Sequence, residues 1–171
     1  MKAYKLFKIK NGKLFPLYVF ATEETPMNTW IEAKCGKQTD NGKVKSKLGE
    51  LAYRPGWHIT EFPFADHIGK RSEDGTLLQA KDTVWCEVEI SDEINYTSQV
   101  LVTKKDGTVN YQKSYMKDIP TNGYYWYTTN PNAKCRWLIA GAIKVTKILS
   151  NEEVDEICKA NGIVPQRREV A

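Results

Sequence analysis

Apolar and polar residues alternate with a period of two along several stretches of this chain, the pattern of half-buried β-strands. Thr83–Ile90 is the clearest: Val84, Cys86, Val88 and Ile90 fall on one face, Trp85, Glu87 and Glu89 on the other. Ala3–Ile9 and Leu14–Ala21 repeat the pattern on either side of Asn11-Gly12, a dipeptide that supplies the positive φ angles of a tight hairpin. Pro16 lacks a ladder donor, which puts its strand at a sheet edge or a bulge. Trp57–Thr60 reads as a short strand after the Pro55-Gly56 turn, and Tyr124–Tyr127 as an aromatic one ending in the polar turn 128–133. Arg136–Leu149 is the longest apolar run; its β-branched second half predicts a strand, with Gly141 marking a bulge or a close backbone approach.

Between these runs lie turn signals. Val100–Tyr111 predicts a second hairpin around Asp106-Gly107, Lys70–Lys81 a turn at Asp74-Gly75, and Met116–Asn122 a connection. Gly36–Gly49, with four lysines, reads as a mobile basic loop or another hairpin. Met27–Cys35 suits either a short helix or an extended piece, and Pro63 can start a helical turn over Phe64–Ile68. The period changes to 3.6 only at the end: Ser150 to Glu153 matches a capping box, Val154, Ile157 and Cys158 form an apolar stripe, and Gly162 stops the helix. The pattern predicts an α+β protein, mainly antiparallel β-sheet built from hairpins with a C-terminal α-helix: one domain over 1–165 and a frayed basic tail over 166–171.

A chain of 171 residues can bury a core without metal or disulfide support. The four cysteines, Cys35, Cys86, Cys135 and Cys158, are widely spaced, with no C-x-x-C pair and no histidine at ligand spacing, which reads as reduced thiols. No apolar run approaches the ~20 residues of a membrane span, and the N-terminus interleaves lysine with apolar residues, so a cytoplasmic protein is expected. Charge is unevenly spread: ten lysines face five acids in residues 1–50, four basic residues face nine acids in 51–100, and eleven face seven in 101–171. Basic flanks around an acidic middle suit a protein or nucleoprotein partner better than plain duplex DNA.

The usual nucleotide, zinc-protease and serine-hydrolase motifs are absent. The unusual chemistry is concentrated in Leu51–Gly69, which holds four aromatics and both histidines. Here Arg54, His58, Thr60 and Glu61 can hold an anionic or sugar ligand beside Trp57 as a stacking face; if Trp57–Thr60 is extended, His58 and Thr60 share one face and Trp57 and Ile59 the other. The same strand also suits a plain core role, with His58 bonded to a backbone carbonyl. His67, beside Asp66, reads as a capping or solvent-facing residue. Any thiol that met His58 or His67 in space would offer Cys–His chemistry. Glu87 and Glu89 fit either a catalytic carboxylate pair or the wet face of a sheet. Tyr124–Tyr127, with Tyr125 and Trp126 foremost and Lys134 and Arg136 as flanks, can stack on bases or on a partner, or pack within their own sheet.

Leu51–His58 (Leu-Ala-Tyr-Arg-Pro-Gly-Trp-His), Ile119–Tyr125 (Ile-Pro-Thr-Asn-Gly-Tyr-Tyr) and Trp137–Lys144 (Trp-Leu-Ile-Ala-Gly-Ala-Ile-Lys), followed by Leu-Ser-x-x-Glu, together resemble a family of small proteins and polyvalent-protein segments from phages and mobile elements of gut bacteria. The resemblance implies an inhibitor of host defence, of the anti-CRISPR type. The Gly-Trp-His-Ile-Thr segment followed by a Glu-bearing strand also resembles the ADP-ribosyltransferase-like sheet; that likeness implies an enzyme in which His58, Thr60 and Glu87 or Glu89 line a nicotinamide-dinucleotide cleft.

The combined expectation is a non-enzymatic binding protein, cytoplasmic in the host cell, using no cofactor or metal. It would block a defence protein or nucleoprotein, with nucleic-acid contact as an option, through Arg54, Trp57, His58, Tyr125, Trp126 and Arg136. It would be a monomer or a small homo-oligomer. The alternatives are the dinucleotide enzyme and a structural phage component.

Overall fold

The computed structural model describes residues 1–128 and 130–170. Lys2–Lys10 (β1) turns at Asn11 and Gly12, with φ of 51° and 74°, into Lys13–Phe15 (β2). The second strand is shorter than the alternation over Leu14–Ala21 predicts, because Pro16 has no N–H with which to extend the ladder. Met27–Cys35 is extended, not helical, and contributes Trp30–Glu32 (β3). Within the basic loop, Val44–Ser46 (β4) and Gly49–Leu51 (β5) form a hairpin of their own. Trp57–Thr60 (β6) is the expected strand. Phe64–Ile68 holds only a turn, closed by the Ile68 N–H on the Ala65 carbonyl at 3.2 Å, where a helical turn was expected.

Lys70–Arg71 (β7) and Leu77–Leu78 (β8) flank the Asp74-Gly75 turn, and Thr83–Ile90 (β9) follows with the predicted boundaries. Ile94–Asn95 (β10) and the short helix Thr97–Val100 (α1) precede a region where a full hairpin was expected. There the Asp106-Gly107 turn forms, but only one bridge, Thr103 to Val109, joins its arms. Those arms are exposed, so no burial supports longer strands. Gly123–Tyr127 (β11) is the aromatic strand. The 128–133 turn includes Thr129, which lies outside the described residues.

The run Arg136–Leu149 is two strands, Trp137–Ala140 (β12) and Ala142–Ile148 (β13), separated at Gly141. A Cβ at Gly141 would fall on the Pro120 carbonyl oxygen. The close approach expected there is real, and it makes a corner at which the chain changes partners. Asn151–Ala160 (α2) begins with both halves of the Ser150/Glu153 capping box and is followed by Gly162 at φ 70°.

Nine strands form one sheet in the order β10-β11-β12-β6-β1-β9-β13-β3, with β2 beside β1. The sheet is mixed but mostly antiparallel, β10 and β11 being its parallel strand pair. It curls, because β3 at the end of the path returns to β6, where the Trp57 indole N–H donates to the Ile31 carbonyl at 3.0 Å. The inner face packs Ala3, Phe7, Ile59, Val88, Leu138 and Val145. On the outer face α2 covers Tyr4, Leu6 and Trp85 with Val154 and Cys158, and a second cluster gathers Tyr125, Tyr127 and Ile139 against Val100.

The C-terminal residues are docked, where a frayed tail was expected. Arg168 grips Asp155 with two hydrogen bonds, Gln79 exchanges backbone bonds with Arg167 and Glu169, and Lys70 pairs with Glu169 at 2.6 Å. Charge complementarity to α2 and the free edge of β8 hold residues that composition alone marks as solvated. Ala171 lies outside the described residues. Among the described residues no helix is long and apolar enough to cross a membrane.

Candidate functional site: a cleft at the sheet seam

β1 divides one of its edges between two partners. It meets β6 only at Tyr4↔Thr60 and meets β2 from Lys8 onward. The Ile9 N–H addresses Asp82 on the opposite side, where β9 lies, so strand alternation aims the even-numbered backbone groups at the divided edge. Leu6 therefore turns its N–H and C=O toward a gap in which no strand pairs with it. A cleft of about 700 Å³ opens at this seam, bounded by β1, β6, the segment after Pro16 and the β4–β5 hairpin. Such a volume suits one small organic molecule or an inserted side chain or chain end.

Lys5 lies in the seam. It shares its face with Ala3 and Phe7, the apolar inner face, and its ammonium donates to the His58 carbonyl at 2.9 Å. That carbonyl would otherwise pair with a backbone donor of β1. Burial pushes the Lys5 pKa down to about 8. The Trp57 and Phe7 rings lie 5.6 Å and 5.7 Å from its nitrogen, which partly offsets the lost hydration.

His58 occupies the outer side of β6, across the seam from Lys5. Its Nε2 lies 2.9 Å from the Arg54 carbonyl, and because a carbonyl only accepts, the ring is the neutral tautomer carrying its proton on Nε2. Burial drives its pKa down to about 4, with Lys5 and Arg54 adding to the fall despite the backbone bond. Thr60 donates to the carbonyls of Tyr4 and Phe62 and is fully buried. The expected division of faces, His58 with Thr60 and Trp57 with Ile59, is what the register gives.

Arg54 sits at the outer end of the cleft, its guanidinium 5.0 Å from the Tyr127 ring centroid and 5.3 Å from that of Tyr115. Among the described residues its Nε is buried without a hydrogen-bond partner, and so is the Tyr127 hydroxyl. The ion pairs of the described residues involve neither Arg54 nor Lys5. Two of the carboxylates at the mouth are engaged elsewhere, Glu23 with Lys34 and Glu24 with Lys13, while Glu32 is exposed. The site is thus an aromatic-walled cleft carrying two cations that no carboxylate neutralises.

The remaining expected site residues lie elsewhere. Glu87 pairs with Lys2 at 3.3 Å and Glu89 with Lys144 at 3.3 Å; neither lines the cleft. A dinucleotide site built from His58, Thr60 and these carboxylates is not assembled. Tyr125 is a core residue with 0% exposure, its hydroxyl accepting the Met116 N–H at 3.3 Å, so it offers no contact surface. Trp126 lies under the Arg136 guanidinium at 4.0 Å, while Arg136 forks onto Glu61 at 2.7 Å and 3.0 Å. That stack satisfies itself on the inner-face side, away from Arg54. His67 packs against Trp137 at 5.2 Å and lines the cleft rim. No cysteine lines the cleft, and burial pushes the Cys86 and Cys158 thiols up to about 12 and 11, so no Cys–His nucleophile forms there. Among the described residues no three His, Cys, Asp or Glu side chains are grouped to hold a metal ion.

Sequence reasoning missed Lys5 and took Tyr127 only as one of the stacking aromatics of Tyr124–Tyr127. The signal for Lys5 was present: in Ala3-x-Lys5-x-Phe7 a lysine takes a position of the apolar face. Comparison with known proteins found no matching family model, no matching curated protein and no matching solved structure.

Proposed function

We propose that the protein is a binding protein that works by occupancy, blocking a bacterial defence nucleoprotein in the manner of inhibitors carried by phages and mobile elements, with the seam cleft as its contact site. The observation that carries the reading is the pairing of aromatic walls with Lys5 and Arg54, cations without a carboxylate partner. Buried charge is normally compensated, so an anionic group of the partner completes the site. The resemblance of Leu51–His58 and Trp137–Lys144 to mobile-element proteins supplies the setting, a host cytoplasm containing defence complexes.

Target cleavage by reconstituted CRISPR nuclease complexes, followed with and without the purified protein, tests the proposal. Inhibition by the wild type that falls at least tenfold in Arg54→Met supports it. Absence of inhibition across the nuclease types, or inhibition indifferent to Arg54→Met, counts against it.

A further inference from the structure

Two buried donors in the cleft have no acceptor among the described residues. Arg54 Nε and the Tyr127 hydroxyl belong to side chains in contact, the guanidinium lying 5.0 Å from the tyrosine ring centroid. Tyr127 is only 8% exposed and lines the cleft wall. Leaving such groups unpaired is costly, and native proteins seldom do so. The guanidinium Nε–H can only donate and the tyrosine hydroxyl has a proton to give, so one acceptor can satisfy both; one is a guanidinium, so an anion fits best.

Charge narrows the class. Lys5 donates to the His58 carbonyl and the His58 ring bonds the Arg54 carbonyl, so both cations belong to residues in direct contact with His58. His58 itself is neutral near pH 7 and adds no charge. A monoanion would leave one of the two cations uncompensated, whereas a phosphate monoester, with a charge of about −1.5 to −2, balances both. Its several acceptor oxygens can take Nε–H and O–H together. The walls narrow it further: Trp137, on the same outer face as Tyr127, is half-buried and lines the cleft, and a flat aromatic ring is what such a surface holds best.

We infer that Arg54 and Tyr127 form a phosphate-monoester site and that the cleft takes a nucleoside 5′-phosphate, its phosphate on these two donors and its base along Trp137. Lys5 acts on the same anion through the field across His58. This deepens, and rests on, the reading of the cleft as the binding site. The nucleotide is either free or the 5′ end of a nucleic-acid strand, such as the end of an RNA held by a nucleoprotein.

Titration calorimetry and tryptophan fluorescence on the whole protein test the inference with 5′-AMP, adenosine and two RNA tetramers, one 5′-phosphorylated and one 5′-hydroxyl. The expected result is binding of 5′-AMP at least about tenfold tighter than adenosine. Tyr127→Phe is the decisive variant, since it deletes a hydroxyl without a hydrogen-bond partner among the described residues: its melting temperature should hold while 5′-AMP affinity falls about tenfold. Arg54→Met should weaken 5′-AMP by more, and Lys5→Met by less. Preference for the phosphorylated tetramer over the hydroxyl one assigns the site to a strand end; binding of 5′-AMP alone assigns it to a free nucleotide.

Equal affinity for adenosine and 5′-AMP, no binding of either, or undiminished 5′-AMP affinity in Tyr127→Phe overturns the inference. If nucleotides fail to bind but nuclease inhibition still requires Arg54, the phosphate class falls and the occupancy reading stands. If 5′-AMP binds through Arg54 and Tyr127 while no nuclease is inhibited, the site stands and the defence reading falls.

Discussion

The Lys5 ammonium donates to the His58 carbonyl at 2.9 Å, so a side chain takes the place of a ladder hydrogen bond where β1 and β6 part. The arrangement costs Lys5 much of its hydration, and the cost depends on pH. In the folded protein Lys5 titrates at about 8, below its ordinary 10.5. Between those values the unfolded chain holds more protons, so stability rises with pH from about 8. From about pH 9 the buried Cys86 and Cys158 thiols, and above pH 10 the buried tyrosines, all with raised pKa values, reverse the trend. Urea melts between pH 7.5 and 9 should show the rise in the wild type and a flatter or falling profile in Lys5→Met; parallel profiles would refute this account.

His58 gives the opposite limb. Its folded pKa of about 4 lies below the ordinary 6.5, so the unfolded state again binds more protons, here between pH 6.5 and 4, and stability is lost as the pH falls through that window. Glu61 and Glu153, held below the usual carboxylate range by Arg136 and Lys147, add losses lower down. In His58→Gln, which keeps an N–H for the Arg54 carbonyl, the fall in melting temperature from pH 6.5 to 5 should be clearly smaller than in the wild type.

Gly141→Ala would drive a methyl group into the Pro120 carbonyl, a backbone atom with little room to retreat. A loss of about 2 kcal/mol or more is expected in chemical denaturation. Gly107→Ala meets no neighbour, but its φ of 84° strains any side chain, so the loss there should be smaller, about 1 kcal/mol.

Deleting residues 166–171 removes the Arg168–Asp155 fork and the backbone bonds to Gln79. The truncated protein should melt several degrees lower, with protease cleavage near β7 and β8 accelerated. Arg168→Ala should account for part of the loss and Arg167→Ala for little of it.

These expectations show which parts of the molecule were legible in its sequence. The boundaries of β6, β9 and α2 depend on local chemistry, a Pro-Gly turn, strict alternation and a capping box, and each could be read directly. Only the β13 half of the apolar run Arg136–Leu149 was read as a strand, and the corner at Gly141 was hidden because it forms only when Pro120 arrives from elsewhere in the chain. Arg54, Trp57 and His58 were singled out because unusual residues cluster there, and all three line the cleft. Lys5 was overlooked, and Tyr127 not set apart from its aromatic neighbours, because a lysine in a lysine-rich strand and a tyrosine in an aromatic one look ordinary until topology brings both to the seam. Tyr125 and Trp126 misled for the reverse reason, since aromatic content does not say which side of a sheet is covered.

One bridge, Tyr4 to Thr60, closes the seam between the β10-β11-β12-β6 strands and the β1-β9-β13-β3 strands. Amide exchange should therefore be uneven across a sheet that looks continuous. The interior of β9 and β13, laddered on both sides, should exchange only on global unfolding, while the Thr60 amide reports a smaller, faster opening. Elsewhere the seam is held by side chains, Lys5 on the His58 carbonyl and Trp57 on the Ile31 carbonyl, so the cleft keeps its shape without a continuous backbone ladder.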